Sequence, residues 1–325
     1  MIRWGIIGCG DVTEVKSGPG FQQAHDSALV AVMRRDAVKA ADYARRHGVP
    51  RWYDDADRLI HDPEVDAVSI ATPPSSHMEL ALRVAAAGKP ALVEKPMALN
   101  HEQCAVMIAA FTKARVPLFV AYYRRALPRF LKIKQLLDDG AIGRVLSVAA
   151  VHSFGPPGLD PQHLPWRFRK EVSGGGLFVD LGCHTLDLLD FLFGPIARVA
   201  GFADRQGSGY NVEDAVVLAT THETGVQVTG RWHFNTDRHL EGVEIDGTHG
   251  CIRFSVFGQD PVIMTRGMQT ESFDLPNPRT IQQPFIQTVV DHLEGRGMCA
   301  STGESAARTS RVMDQVLGTH QANSD

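Results

Sequence analysis

The chain has 325 residues, enough for two domains that each bury a sizeable core. Hydrophobic residues make up 44% of it and charged residues 22%, which is ordinary for a globular enzyme. The formal net charge is −4 and no block is dense in lysine and arginine, so we expect neither a nucleic acid nor a membrane surface as partner.

The N-terminal segment and the cysteines indicate a cytoplasmic protein. The start, Met-Ile-Arg-Trp-Gly-Ile-Ile-Gly, is interrupted by glycine too soon for a signal peptide, and no apolar run approaches the roughly 20 residues that span a bilayer. The five cysteines are scattered without a Cys-x-x-Cys pair, which predicts reduced thiols and no zinc site. The histidines lack acidic partners at fixed spacing, so no metal is expected.

Short aliphatic runs alternate with helical patterns in the first third of the chain. The expected strands are Ile2–Gly8, Leu29–Arg34, Ala67–Thr72 and Ala91–Glu94, and the expected helices are Val38–His47, His77–Ala87 and Glu102–Ala114. Strands that alternate with helices predict a parallel, doubly wound sheet with right-handed crossovers.

After about Val120 the pattern changes to consecutive strands. It predicts, in order, a helix over Pro128–Asp138, a strand over Arg144–Val151, a proline-rich loop to Ser173, a helix from about Gly176, strands between Ala197 and Ile263, and helices over Pro284–Glu294 and Gly303–Leu317. Strands without intervening helices favour an antiparallel or mixed sheet. The fold class is therefore α/β.

A Gly-x-Gly motif follows the first strand. In this position one glycine makes the tight turn and the next lets the backbone approach a pyrophosphate, which the N–H groups of the following helix then bind. We therefore expect Gly8, Gly10, Asp11 and Val12 to contact a dinucleotide, although Thr13 replaces the third glycine of the usual fingerprint. The alternative is a plain strand-to-helix turn.

Two arginines follow the second strand, where an enzyme that uses NAD often has an acid. A guanidinium suits a 2′-phosphate, through charge-assisted hydrogen bonds and stacking on adenine. Arg34 and Arg35 therefore favour NADP, with NAD possible. In the competing interpretation Asp36 binds the ribose, but its position three residues past Met33 is typical of a helix N-cap.

Two further motifs carry candidate chemistry. Lys95 follows the expected strand Ala91–Glu94, and ligands of open α/β sheets lie beyond the carboxyl ends of strands, so we expect it beside the nicotinamide. The alternative is a surface lysine. Asp180 and His184 follow a run of three glycines and, four apart, would share a helix face. A carboxylate beside an imidazole suits a general acid/base, and an amphipathic structural helix is the alternative.

The sequence resembles the Gfo/Idh/MocA family (glucose-fructose oxidoreductase, inositol dehydrogenase and rhizopine catabolism). The resemblance covers nearly the whole chain. It rests on Gly8-Cys9-Gly10, Thr72-Pro73 with His77, Glu94-Lys95-Pro96, Tyr122-Tyr123-Arg124-Arg125, Trp166-Arg167, the Asp180/His184 helix, and Ile245-Asp246-Gly247-Thr248-His249-Gly250.

The resemblance implies a Rossmann domain over residues 1–121 and an α/β domain with a large, mostly antiparallel open sheet over residues 122–325. Its sheet would join subunits into a homodimer or homotetramer. Residue by residue, it implies catalytic roles for Lys95, Asp180 and His184. The implied cofactor contacts are Gly8, Gly10, Thr72, Pro73, His77, Glu94, Lys95, Trp166 and Arg167, and the implied substrate contacts are Lys95, Tyr123, Trp166, Asp180 and His184.

These expectations combine into an NADP(H)-dependent oxidoreductase that acts on a CH–OH or carbonyl group of a sugar, sugar derivative or polyol. Two alternatives stay open. One is redox-assisted glycoside cleavage with retained NAD, and the other is a non-catalytic NADP-sensing protein. Two departures from the family pattern, Thr13 and Pro74, affect the expected phosphate and nicotinamide contacts.

Overall fold

The computed structural model describes residues 1–156, 158–160, 162–207 and 209–321. The chain divides into two compact units. Unit 1 comprises Met1–Leu127 and Pro278–Ala307, and unit 2 comprises Pro128–Asn277 and the chain from Arg308 onward. The roles expected from the sequence, dinucleotide binding by residues 1–121 and substrate binding and assembly by residues 122–325, stay predictions.

Unit 1 is built on a six-stranded parallel sheet in the order β3-β2-β1-β4-β5-β6. Its strands are β1 (Ile2–Ile7), β2 (Ser27–Met33), β3 (Arg51–Tyr53), β4 (Ala67–Ile70), β5 (Ala91–Val93) and β6 (Leu118–Val120). The helices between them are α1 (Gly18–Gln23), α2 (Ala37–His47), α3 (Ala56–Ile60), α4 (His77–Ala86) and α5 (His101–Ala114). The predicted doubly wound arrangement is confirmed. The short strands β3 and β6 are missing from the sequence prediction.

The described part of unit 2 is built on an eight-stranded sheet in the order β14-β13-β12-β11-β7-β10-β9-β8. Its strands are β7 (Val145–Ser153), β8 (Ile196–Asp204), β9 (Ala215–His222), β10 (Gln227–His233), β11 (Leu240–Gly247), β12 (Cys251–Phe254), β13 (Val262–Arg266) and β14 (Gln269–Phe273). Its helices are α6 (Pro128–Asp138), α7 (Lys170–Ser173) and α8 (Cys183–Phe193). Among the described pairs β7 and β10 run parallel and the others antiparallel, which confirms the mostly antiparallel sheet.

Two helices end the chain: α9 (Gln283–Leu293) belongs to unit 1, and α10 (Gly303–Gln321) follows it. Both match the helices expected there to within a few residues. Among the residues that the structure describes, no helix is long and apolar enough to cross a membrane.

The strand β10 shows that one face of the unit 2 sheet is buried and the other is exposed. Val228 and Trp232 are buried, whereas Thr229 and Arg231 between them are exposed, so apolar and polar side chains alternate with the period of a strand. The Trp232 ring packs on Phe178, with ring centroids 5.0 Å apart. The alternating apolar residues of this run therefore build the core of unit 2.

Two π-helical turns interrupt the described helices. The first π-turn is Thr13–Ser17, where Gly18 N–H donates to Thr13 O, and the second π-turn is Phe178–Gly182, where Cys183 N–H donates to Phe178 O. The predicted regular helix over Asp180 and His184 is wrong in this detail, because α8 begins only at Cys183. Such turns are rare and recur at functional sites.

A bidentate ion pair within unit 2 joins α10 to α8. Arg308 donates from Nε and Nη2 to the two carboxylate oxygens of Asp190, each at 2.7 Å, and the Asp190 side chain is only 3% exposed. A guanidinium matches a carboxylate in this two-point geometry. The pair therefore compensates a charge that would otherwise be costly to bury.

We expect Arg308→Ala to lower the free energy of unfolding by about 3 kcal/mol or more, because it removes two charge-assisted bonds from a buried carboxylate. Arg308→Lys should be intermediate, since an ammonium lacks the two-point fork. Urea unfolding followed by circular dichroism measures both. The control is Arg266→Ala, which breaks the exposed Arg266–Glu271 pair and should cost less than about 1 kcal/mol. Equal losses in Arg308→Ala and the control would contradict the assignment.

Candidate active site

The Gly-x-Gly turn lies at the carboxyl edge of the unit 1 sheet. Gly8 has φ +93°, and a Cβ there would lie 2.7 Å from Thr72 Cγ2, so only glycine fits where β1 passes the end of β4. The N–H groups of Gly8 and Cys9 both donate to Met33 O, at 2.8 and 3.1 Å. The turn is thus held against the ends of β2 and β4. A Cβ on Gly10 would meet no atom closer than Arg34 Nη1 at 3.7 Å, which leaves room for a phosphate.

The Thr13 side chain makes two hydrogen bonds within this turn. Its buried hydroxyl donates to Gly10 O at 2.8 Å and accepts from Gly10 N–H at 2.9 Å. The Gly10 amide is therefore occupied, and its part in phosphate binding would be close approach of the backbone. Asp11 and Val12 begin the helical segment that follows, where N–H groups of the first turn have no partner within the helix.

Arg34, Arg35 and Asp36 have different environments in the structure. Arg34 Nη1 donates to Cys9 O at 3.2 Å, which holds this guanidinium over the glycine turn, whereas Arg35 is exposed. Asp36 accepts the Lys39 N–H at 3.1 Å as the N-cap of α2. The predicted capping role of Asp36 is confirmed. Of the two arginines, Arg34 is the one that the structure brings to the glycine turn.

His77 lies behind the ends of β4 and β5. Its ring is fully buried, with Nε2 2.7 Å from Thr72 O and Nδ1 3.1 Å from Pro96 O. Burial lowers the pKa of the imidazole. Pro96 follows Lys95 through a cis peptide bond. His77 therefore joins the two turns that carry Thr72 and Lys95, and any effect on a cofactor would pass through them rather than through direct contact.

Glu94 has a partner that sequence reasoning missed. Gln282 Nε2 donates to Glu94 Oε1 at 2.9 Å, and the Lys95 N–H donates to Oε2 at 3.2 Å. Burial raises the pKa of the Glu94 carboxyl, against the effects of the Gln282 hydrogen bond and the Lys95 charge. Gln282 is 188 residues away in sequence, and no motif marks it.

Tyr123, also in unit 1, is buried beside an arginine. The Arg124 guanidinium lies over its ring, 5.1 Å from the centroid, and donates to the Tyr123 hydroxyl at 3.2 Å. The Tyr-Arg sequence pair is therefore also a pair in space. Its predicted role toward a substrate stays a prediction.

In unit 2, three predicted site residues come together. Arg167 stacks on the Trp166 ring at 4.5 Å and pairs through Nε with Asp180 Oδ2 at 3.4 Å. Asp180 lies in the second π-turn, and His184 follows in the first turn of α8. A cation stacked on an aromatic ring is held in a fixed direction, so Trp166 and Arg167 orient the carboxylate. The sequence placed these residues on separate motifs.

His184 is 4% exposed and packs edge-on against Phe257, with ring centroids 5.9 Å apart. Phe257 also stacks near His152, a buried histidine of β7, at 4.7 Å. The Phe257 ring thus contacts two imidazoles. Sequence reasoning gave no role to His152 or Phe257, and no motif marks either.

A potential metal-ligand group occurs away from these residues. Glu244, Asp246 and Cys251 on β11 and β12 bring ligand atoms within 4.8 Å of one another. Glu244 already pairs with Arg253 at 2.7 Å, so this group is explained as surface charge on neighbouring strands.

Comparison with known proteins gives matches to both parts of the chain. Residues 2–122 match the oxidoreductase family model with an NAD-binding Rossmann fold, and residues 130–253 match the GFO/IDH/MocA C-terminal domain. Oxidoreductase P35 of Formosa agariphila is 38% identical over 322 residues, covering 98% of this chain and 99% of that protein. The 1,5-anhydro-D-fructose reductase of Ensifer adhaerens is 30% identical over 311 residues, covering 94% and 92%.

Among solved structures, aldose-aldose oxidoreductase from Caulobacter crescentus, complexed with glycerol, superimposes with a TM-score of 0.86 at 25% identity. The match covers 99% of this chain and 98% of that chain. The family resemblance found in the sequence is confirmed over both units. The chain belongs to the GFO/IDH/MocA family of oxidoreductases, which have an NAD-binding Rossmann fold.

Proposed function

We propose that the protein is an NADP(H)-dependent oxidoreductase that acts on a CH–OH or carbonyl group of a sugar, sugar derivative or polyol. The observation that carries the cofactor choice is Arg34 held over the glycine turn while Asp36 is used as a helix cap. The substrate class is supported by relatives named for an anhydro sugar and for aldoses.

The residues present fit a dinucleotide. Gly8 and Gly10 leave the backbone open to a pyrophosphate, and the helix that starts at Asp11 and Val12 offers its first N–H groups. Arg34 would bind the 2′-phosphate and stack on the adenine. When bound, the nicotinamide supplies or accepts the hydride.

The proton is assigned to this chain's own side chains. His184 would give the proton to, or take it from, the substrate oxygen, and Lys95 would polarise that oxygen and share the proton. Asp180 would orient the imidazole of His184. Its position is in turn fixed by the Arg167 ion pair. A panel of sugars, inositols and keto sugars, assayed with NADPH and NADH, tests the whole proposal, and absence of turnover with every member would contradict it.

Assembly through the sheet of unit 2 is part of the same proposal. On its outer face Phe202 of β8 and Val217 of β9 are paired neighbours, 67% and 48% exposed. Ala200 and Ala219 lie opposite each other beside them. A sheet face with large exposed apolar side chains suits a second copy of the chain.

Arg34→Ala, which removes the guanidinium, should reduce the preference for NADPH. One lost charge-assisted hydrogen bond of about 1.5–3 kcal/mol corresponds to a roughly 10- to 150-fold fall in the NADPH:NADH ratio of kcat/KM. Arg35→Ala is the matched control and should have a smaller effect, because Arg35 is exposed. The double variant should lose at least as much as Arg34→Ala alone, and about 10²–10⁴-fold corresponds to a full charge-assisted contact from each arginine. An unchanged ratio in the double variant would remove the NADP proposal.

The acid/base residues should act as a unit. His184→Ala should lower kcat by about 10²–10⁴-fold with near-normal cofactor binding, and Lys95→Ala by at least as much. Asp180→Asn should lower kcat by a smaller factor and should shift the pH profile of kcat. The double variant of His184 and Lys95 should be little worse than the worse single one. His249→Ala, at an exposed turn, is the control. Near-normal turnover in His184→Ala would rule out its assignment.

Charge on the outer sheet face should break the assembly. Phe202→Asp combined with Val217→Asp places like charges where two copies would meet, so sedimentation should show a monomer. Leu131→Asp, an exposed leucine on α6, is the control and should not change the mass. A wild-type protein that is monomeric at every concentration would contradict the proposal.

A further inference from the structure

The second π-turn, which carries Asp180, is fastened to the segment that precedes β9. We propose that Glu213 is a positioning residue: its carboxyl oxygen fixes Gly176, and through Gly176 the backbone of Asp180. The inference rests on the proposed catalytic roles of Asp180 and His184. Glu213 is not part of any motif that marks the family resemblance.

The contact is direct and buried. Glu213 Oε1 accepts the Gly176 N–H at 2.7 Å, and the residue is among the buried charged side chains of unit 2. A Cβ on Gly176 would lie 2.6 Å from Glu213 O and 2.9 Å from Val212 Cγ2. Only glycine therefore lets this loop lie against residues 212 and 213, and no other side chain could occupy that space.

The contact continues to Asp180 through the backbone. Gly176 O accepts the Asp180 N–H at 3.1 Å, and Asp180 pairs with Arg167 at its carboxylate. Asp180 is therefore held at its amide by the loop that Glu213 anchors and at its side chain by Arg167. A small displacement of Gly176 would move the carboxylate that orients His184, and proton transfer is sensitive to displacements of this kind.

The protonation state of Glu213 changes near neutral pH. Burial raises the pKa of its carboxyl from 4.5 to about 7, against the effects of the Gly176, Glu213 and Val179 amides and then of the Lys170 charge. Other ionisable groups on the neighbouring described segments include Glu171 of α7, Asp180 of the π-turn, Cys183 and His184 of α8, Tyr210, and the fully buried Asp214.

The direction of the pH effect follows from that raised pKa. Burial favours the neutral acid, so its contribution to stability is fully present below about pH 4.5 and is lost as the pH rises through about 7. The wild-type protein should lose thermal stability over this interval in a way that Glu213→Gln, which cannot ionise, does not.

Two variants separate the hydrogen bond from the charge. Glu213→Gln keeps an oxygen that can accept the Gly176 N–H, whereas Glu213→Ala keeps none. We expect Glu213→Ala to lower kcat by about tenfold or more while KM for the cofactor changes less than about twofold, in the range of a displaced catalytic group. Glu213→Gln should retain at least about half of kcat and lose the inflection near pH 7 from the pH profile. The control is Glu223→Gln, an exposed glutamate at the other end of β9.

A second measurement does not depend on activity. Hydrogen exchange of the amides from Gly176 to Gly182 should accelerate about tenfold or more in Glu213→Ala, remain near wild type in Glu213→Gln, and be unchanged in Glu223→Gln. Wild-type kcat and exchange in Glu213→Ala would overturn the inference. So would equal damage in both variants with an unaltered pH profile. Accelerated exchange together with full activity in His184→Ala and Asp180→Asn would instead reject the proposed function and keep the anchor.

Discussion

The close passage of the β1 end against the β4 end, at Gly8 and Thr72, is the constraint on which the dinucleotide side of the protein depends. Parallel strands place their carboxyl ends at one edge, and the packing at Gly8 brings the glycine turn against the next strand end. Thr13 closes the turn and Arg34 lies across it. The proposed contact of Arg34 with the cofactor would therefore depend on a backbone geometry that only glycine permits.

In unit 2 the corresponding support comes from two charged side chains, of which Glu213 is buried and Arg167 is 42% exposed. The catalytic candidates of this unit follow a glycine-rich loop that has no regular secondary structure of its own to hold it. Glu213 and Arg167 supply that support from two other segments. In both units a π-turn begins within three residues of the last glycine of the motif, so helical geometry is locally relaxed beside each candidate site.

Much of this was predictable because it depends on local pattern. Alternating strands and helices fixed the expectation of a doubly wound sheet, and α6 begins and ends at the residues expected from periodicity alone. The capping position of Asp36 also follows from its place before a helical run. Family motifs then indicated which polar residues to consider.

What the sequence could not show are the contacts made across long separations. Gln282 contacts Glu94 across 188 residues of sequence, and Glu213 contacts Gly176 across 37 residues. Neither Gln282 nor Glu213 lies in a recognisable motif. The second π-turn also escaped prediction, because its residues fit an α-helical period. Phe178, the first residue of this turn, packs on Trp232, a contact that no local pattern contains.

The last strand of the unit 1 sheet has a consequence for synthesis of the chain. The edge of β6 is covered by residues near the C-terminus: Phe119 bridges Thr302, and the Ser301 hydroxyl donates to Val120 O at 2.7 Å. A ribosome produces these residues after the whole of the second sheet. Until then β6 is an open edge, and open edges pair with other chains. Truncation near residue 300 would therefore leave this edge of the N-terminal sheet permanently open.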